Sequence, residues 1–218
     1  MDATPVLPKL LNSQGHDFTN GLHTLLGLLE LDMYDRAGHF VTALEHERPA
    51  PFAPVVERIH EPLVRALLIG KGLVAAQWGA ALQISADAWL RRPVAHPRDL
   101  VIVMGNLIDN ALEAVRGQTC RSPRVEAGLR SDGDAVALWV SDNGPGVPIR
   151  LRKRIFSEGW SSKQSPDGHA RGLGLAQVQQ IADSYRGRVR VRDRAGGGAV
   201  FSVRLPRPTG TPAPGGSQ

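Results

Sequence analysis

From residue 97 onward the apolar segments of this chain are broken, in a fixed order, by three groups of polar and glycine residues. The first group lies within a helix. Pro97, tolerated in a first turn, opens a stretch carrying Leu100, Val103, Leu107, Ile108, Ala111, Leu112 and Val115, yet Asn106 and Asn110 stand one turn apart on it, with Glu113 near the same face. A buried amide without a partner costs about 1–3 kcal/mol. Oxygen-bearing side chains at i and i+4 can reach one Mg²⁺, which prefers oxygen ligands and keeps waters while bridging phosphates. Surface or capping amides explain the same pair equally well. The second group, Asp142-Asn143-Gly144-Pro145-Gly146, follows a strand. It reads as a turn, since Asn-Gly is a common turn dipeptide. It also reads as a carboxylate that accepts a hydrogen bond from an exocyclic amine, with Gly144 and Gly146 letting the backbone approach a flat ring such as adenine. The third group, Gly168-His169-Ala170-Arg171-Gly172-Leu173-Gly174, precedes a helix, whose first N–H groups favour phosphate. Each group alone is ambiguous. In this order they describe one nucleotide site.

The surrounding pattern predicts a strand over residues 82–86, strands over 124–130 and 135–141 joined by a turn at 131–134, a helix over 173–185, and strands over 188–192 and 199–205. Strands pairing antiparallel, with helices collected on one face, make an α/β sandwich rather than a doubly wound sheet. A helix over residues 55–79 precedes them, interrupted or kinked around Pro62 and the Gly70 to Gly72 pair. The last residues, 207–218, are rich in Pro, Gly and Ser and are expected to be disordered.

The N-terminal part is of another kind. A helix from about residue 7 to 31 places Leu11, Phe18, Leu22, Leu25 and Leu29 in one stripe at about 100° per residue. His16 projects from the opposite side, with Asn20 one turn and His23 two turns beyond it. After a corner at residues 32–35, a second helix to about residue 47 turns Ala37, Phe40, Val41 and Leu44 inward. Such a hairpin has apolar surface left over, and pairing with its twin as a four-helix bundle in a homodimer is the simplest way to bury it. The proline-rich joint over residues 48–54, Arg-Pro-Ala-Pro-Phe-Ala-Pro, then ends the hairpin. The expected class is α+β: a hairpin domain over 1–54, a nucleotide-binding domain over 55–206, and the tail.

Composition excludes other classes. A net charge of +5 comes from scattered Lys and Arg, clustered only at residues 150–154 and 186–194, with no recognition motif, so direct nucleic-acid binding is not expected. Cys120 has no intrachain partner, which suits a reducing compartment. No run approaches 18 apolar residues, and the first residues lack the basic and apolar regions expected of a signal peptide.

Taken together, Asn106-Leu107-Ile108-Asp109-Asn110, Asp142 to Gly146, residues 155–163 and Gly172 to Gly174 resemble the N box, first glycine box, phenylalanine box and second glycine box of a known domain. It is the Bergerat-type ATP-binding domain shared by histidine kinases, gyrase-type ATPases, heat-shock chaperones and mismatch-repair proteins. Asn at 106, where chaperone and topoisomerase relatives carry Glu, points to the kinase branch. The run His16-Asp17-Phe18-x-Asn20-x-Leu22-His23 is similar to the phosphoacceptor motif of sensor kinases of the citrate and four-carbon dicarboxylate family. Their dimerisation hairpin resembles that of the sporulation phosphotransferases.

The resemblance implies ATP held by Asp142, Gly144 and Gly146 at the adenine, and by Lys163, Arg171, Gly172, Leu173 and Gly174 at the phosphates under a flexible lid. It implies Mg²⁺ at Asn110, assisted by Asn106. His16 would be the catalytic nucleophile, with Asp17 orienting its imidazole and Asn20 positioning water or the partner. That partner would be the receiver domain of a response regulator, which the kinase could also dephosphorylate. Two departures stand out: Ala199 occupies a place where many kinases have a hydroxyl, and Trp160 stands where Phe is common. The expected setting is the cytoplasmic part of a longer membrane receptor, touching the membrane only through an upstream sensor segment. A serine kinase of a partner protein and an ATP-independent phosphorelay scaffold are the alternatives.

Overall fold

The computed structural model describes residues 58–91, 94, 96–116, 122–160 and 172–206, together with Met33 and Arg36. The chain divides into two units, Met1–Pro51 and Phe52–Gln218, and the second is the one described below. His16, Asp17, Asn20, Lys163 and Arg171, and the hairpin, lid and tail expected around them, lie outside the described residues.

Helix α1 spans Pro62–Gln77. The expected kink at Pro62 is instead a start: Pro62 occupies the first turn, where its missing N–H costs nothing, and the Glu61 side chain accepts from the Leu63 N–H at 3.4 Å. The helix continues unbroken through Gly70 and Gly72. Between them, the Lys71 ammonium donates to both carboxylate oxygens of Asp109 at 2.6 and 2.7 Å, which pins this glycine-weakened turn to the next helix.

Strand β1 (Ala81–Ile84), helix α2 (Pro97–Arg116), strands β2 (Arg124–Asp132) and β3 (Ala135–Asp142), helix α3 (Gly174–Ser184), and strands β4 (Arg188–Asp193) and β5 (Ala199–Pro206) follow. Two single turns of 3₁₀ helix, Ile149–Leu151 and Arg154–Phe156, lie between β3 and α3. The sheet runs in the order β1-β2-β3-β5-β4. Its one departure from the expected antiparallel pairing is β1, which runs parallel to β2. Parallel neighbours need a crossover connection, and α2 is that crossover. The β2–β3 hairpin closes with two residues between the paired Asp132 and Ala135. Gly133 takes the first of them at φ +58°, the position a type II′ turn reserves for glycine.

Alternation along the strands sorts the two faces. Val125, Ala127 and Leu129 of β2, Val136, Leu138 and Val140 of β3, and Phe201, Val203 and Leu205 of β5 are buried. They pack with Val103, Met104, Leu107, Ile108 and Leu112 of α2 in one core. Each valine, leucine, isoleucine, methionine or phenylalanine among them, fully buried, contributes about 1.5–3 kcal/mol. Helices α1, α2 and α3 all contribute to this core, so the expected sandwich is what forms. The Tyr185 hydroxyl, just past α3, donates to Asp99 near the start of α2 at 2.6 Å. Burial and the Asp99 carboxylate together hold its proton far above the usual phenol range.

Candidate functional site

Asp142 ends β3, and the alternation that buries Leu138 and Val140 on the helix side also turns this carboxylate inward; only 2% of the residue is exposed. Asp142 Oδ1 accepts from the Gly144 N–H at 2.8 Å and from the Ala199 N–H at 3.4 Å. Neither bond uses Oδ2, which is left for an outside donor. Burial pushes the carboxyl above its ordinary value, while the two N–H groups and the nearby Arg194 pull the other way.

Glycines make this corner by close approach. A Cβ on Gly144 would stand 2.9 Å from Asp142 Oδ1 and 3.1 Å from the Ala114 carbonyl oxygen near the end of α2. Gly146, at φ +74°, packs its α-carbon toward the Gly198 carbonyl. Gly198 has φ +100°, and a Cβ there would overlap the Asp142 carbonyl oxygen. Sequence reasoning missed Gly198; the run Gly196-Gly197-Gly198 before β5 was the signal that could have found it. Ala199, where a hydroxyl is common, contributes its backbone N–H to Asp142 instead.

At the other end, α3 opens at Gly174 with Leu173 as its N-cap, and no side chain caps it. Its first N–H groups are therefore free for an anion. A Cβ on Gly174 would stand 2.8 Å from Asn106 Oδ1, and Asn106 Nδ2 donates to Gln177 Oε1 at 3.2 Å. Gln177 is a second residue the sequence reading did not single out. Gly172, at φ +98°, lies so close to the Trp160 carbonyl that a Cβ would overlap it. Trp160 and Gly172 thus stand side by side.

Helix α2 joins the two ends. Asn106 touches Gly174 and Ala114 touches Gly144, with Asn110 midway between them along the i, i+4, i+8 face. At 1.5 Å per residue this face is about 12 Å long. The Asn110 side chain is half-buried and makes no hydrogen bond among the described residues. Glu113, expected near this face, is exposed. The structure therefore brings together Asn106, Asn110, Asp142, Gly144, Gly146, Gly172, Leu173 and Gly174. The arrangement fits an adenine nucleotide: an inward acceptor at one end, an uncapped helix start at the other, and an unused amide oxygen between them for a divalent ion.

The raised carboxyl gives a pH prediction. Oδ1 already accepts two N–H groups, so a proton taken up by the carboxyl goes to Oδ2 and turns it from acceptor to donor; affinity for an ATP analogue is therefore expected to fall on acidification, beginning above the ordinary carboxylate value of 3.8. The folding term has the opposite sign. A carboxyl with a raised folded-state pKa favours the fold at low pH, and that contribution is lost as pH rises through the folded-state value. Titrating analogue fluorescence against pH in the wild type and in Asp142→Asn checks the first, since the variant lacks the acid-side inflection. Thermal melts of the same pair over the same pH range check the second.

Residues 95–209 match the family model described as histidine kinase-, DNA gyrase B- and HSP90-like ATPase. A probable C4-dicarboxylate sensor kinase of Halalkalibacterium halodurans is 31% identical over 205 residues, covering 92% of this chain and 37% of that protein. The sensor protein CitS of Bacillus subtilis is 36% identical over 202 residues, covering 90% of this chain and 36% of that protein. The chain thus spans little more than a third of the length of these relatives. Among solved structures, the catalytic domain of the histidine kinase ThkA superposes with a TM-score of 0.57 at 23% identity, covering 68% of this chain and 92% of that domain. The last of these shows the fold. By the match over residues 95–209, the chain belongs to the histidine kinase-, DNA gyrase B- and HSP90-like ATPase family.

Proposed function

We propose that this chain phosphorylates its own His16 from ATP and passes the phosphoryl group to an aspartate of a response regulator. The observation that carries the reading is the line along α2 from Asn106 through Asn110 to Ala114, with an uncapped helix start at one end and a buried acceptor for adenine at the other. Relatives named as a sensor kinase and a sensor protein, which match about nine-tenths of the chain, support the histidine branch.

Asp142 Oδ2 accepts the exocyclic amine of adenine, and Gly144, Gly146 and Gly198 let the backbone lie against the ring. Gln177 fixes the Asn106 amide beside Gly174, and the first N–H groups of α3, with Lys163 and Arg171, hold the phosphates. Asn110, assisted by Asn106, would hold Mg²⁺, which when bound supplies charge neutralisation on the phosphates. Neutral His16 attacks the γ-phosphorus through one ring nitrogen as the bond to the ADP oxygen breaks. Asp17 orients the imidazole and takes the proton from its other nitrogen. Asn20 positions water or the regulator in the reverse dephosphorylation. In this reading the hairpins of two copies pair as a four-helix bundle, and the reaction takes place in the cytoplasm. Among the described residues no helix is long and apolar enough to cross a membrane.

The test is incubation with Mg²⁺ and γ-labelled ATP, followed by addition of a receiver domain. Label that is acid-labile and alkali-stable, and that moves to the receiver, is the expected result. Acid-stable label on a partner, with none on this chain, would favour the serine-kinase alternative, and absence of ATP binding would favour the scaffold.

A further inference from the structure

The face of the sheet turned away from the helices takes no part in the nucleotide site. Six arginines, Arg130, Arg186, Arg188, Arg190, Arg192 and Arg204, line a hollow of about 670 Å³ on that face with one carboxylate, Asp87. The ladder register sets Arg130, Ala137, Arg204 and Arg188 in one row across four strands, and Gly128, Trp139, Ser202 and Arg190 in the next. Arg204 pairs with Asp132 at 3.2 Å, and the Arg130 guanidinium lies 5.9 Å from the centre of the Trp139 ring. Among the described residues, the side chains of Arg186, Arg188, Arg190 and Arg192 make no ion pair or hydrogen bond.

Arg188 sits directly opposite Arg204, a pairing of like charges that weakens a ladder. Charges on β4 alone would protect an edge strand from pairing with another chain. Arg204 and Arg130 extend the charge inward over β5 and β2, which edge protection does not require. The result is a trough with arginine walls and a floor of Ala137, Trp139 and Ser202. In the first row Arg130 and Arg204 stand two strand spacings apart, about 9.5 Å, with Ala137 between them.

We propose that this trough binds an acidic segment of a partner protein, with its carboxylates paired to the arginines and an apolar side chain on the floor. Guanidinium forks match carboxylates two bonds at a time. The spacing of Arg130 and Arg204 admits one extended chain. Trp139 lies against Gly128, where a Cβ would overlap its ring, and the Arg130 guanidinium is 5.9 Å from its centre; the floor thus offers a single indole rather than the row of aromatic platforms on which successive nucleobases stack. A flat lipid surface would touch the arginine tips and leave the floor unused. Trp89, 42% exposed and bridged to Arg130 through the backbone, adds an apolar contact at the rim.

The experiment measures anisotropy of a short fluorescent peptide of alternating Glu and Leu on the full chain, beside an oligothymidylate and vesicles of phosphatidylserine and phosphatidylcholine. The variant is Arg188→Glu with Arg190→Glu; the first change places a carboxylate opposite Arg204, so the fold is expected to hold, and a thermal melt checks it. The peptide is expected to bind more weakly as salt is raised, and the double variant to weaken it by about tenfold or more while an ATP analogue binds as before. No peptide binding, equal binding by the folded variant, or tighter arginine-dependent binding of the oligonucleotide or the vesicles would overturn the proposal.

Discussion

Asp142→Asn is expected to weaken binding of an ATP analogue by about a hundredfold while leaving thermal stability unchanged or slightly raised. The two effects separate because the carboxylate has two jobs. Oδ1 accepts from the N–H groups of Gly144 and Ala199, and an asparagine oxygen placed there accepts them equally. The amide nitrogen then stands where Oδ2 was and presents a donor to the adenine amine, itself a donor. A hydrogen bond to a charged group contributes about 1.5–3 kcal/mol, and the clash of donors adds to its loss. Stability does not fall with it, because desolvation is the largest influence on this carboxyl and the neutral amide escapes it. Analogue titration and a thermal melt on the same sample measure both quantities. A variant that binds as well as the wild type would remove Asp142 from the adenine site.

Gly198→Ala is expected to cost roughly 2–4 kcal/mol of stability, because it combines a strained backbone with an overlap that has no free direction of relief. The residue sits at φ +100°, and a Cβ would meet the Asp142 carbonyl oxygen, which is backbone rather than a side chain that can turn aside. Relief would have to move the end of β3 or the start of β5, and either movement withdraws the Ala199 N–H from Asp142. Nucleotide affinity is therefore expected to fall together with stability. Gly196→Ala is the control: its φ is +84° but nothing lies within 4 Å of the added Cβ, so about 1 kcal/mol for the left-handed conformation is all it should lose. Urea melts of the two variants compare them directly. Equal losses would mean that the close approach at Gly198 contributes nothing.

Much of the second unit is legible in the sequence, and the misses share a cause. Helix α2 could be read because its apolar residues recur at helical spacing after Pro97, and the β2–β3 hairpin because Gly133 sits between two alternating runs. Asp142 and the flanking glycines stood out as a group. Gly198 did not, since its need for glycine arises from β3, more than fifty residues earlier in the chain, touching the start of β5. The parallel pairing of β1 was hidden for a similar reason: a four-residue strand carries no mark of its partner, which the α2 crossover determines. Gln177 and Lys71 look like ordinary helix-surface residues until their partners Asn106 and Asp109 are placed beside them. The arginines of β4 were visible as a basic cluster, but only the register shows that Arg188 faces Arg204.

The proposed acceptor, His16, is the point on which the functional reading turns. The most direct measurement is incorporation of label from γ-labelled ATP, with Mg²⁺, by the wild type, His16→Gln and Asn110→Ala, each first shown to be folded. The wild type is expected to take up acid-labile, alkali-stable label, and both variants to take up none, His16→Gln while still binding the nucleotide. Label that persists in His16→Gln, or that survives acid in the wild type, would contradict phosphoryl transfer to this imidazole.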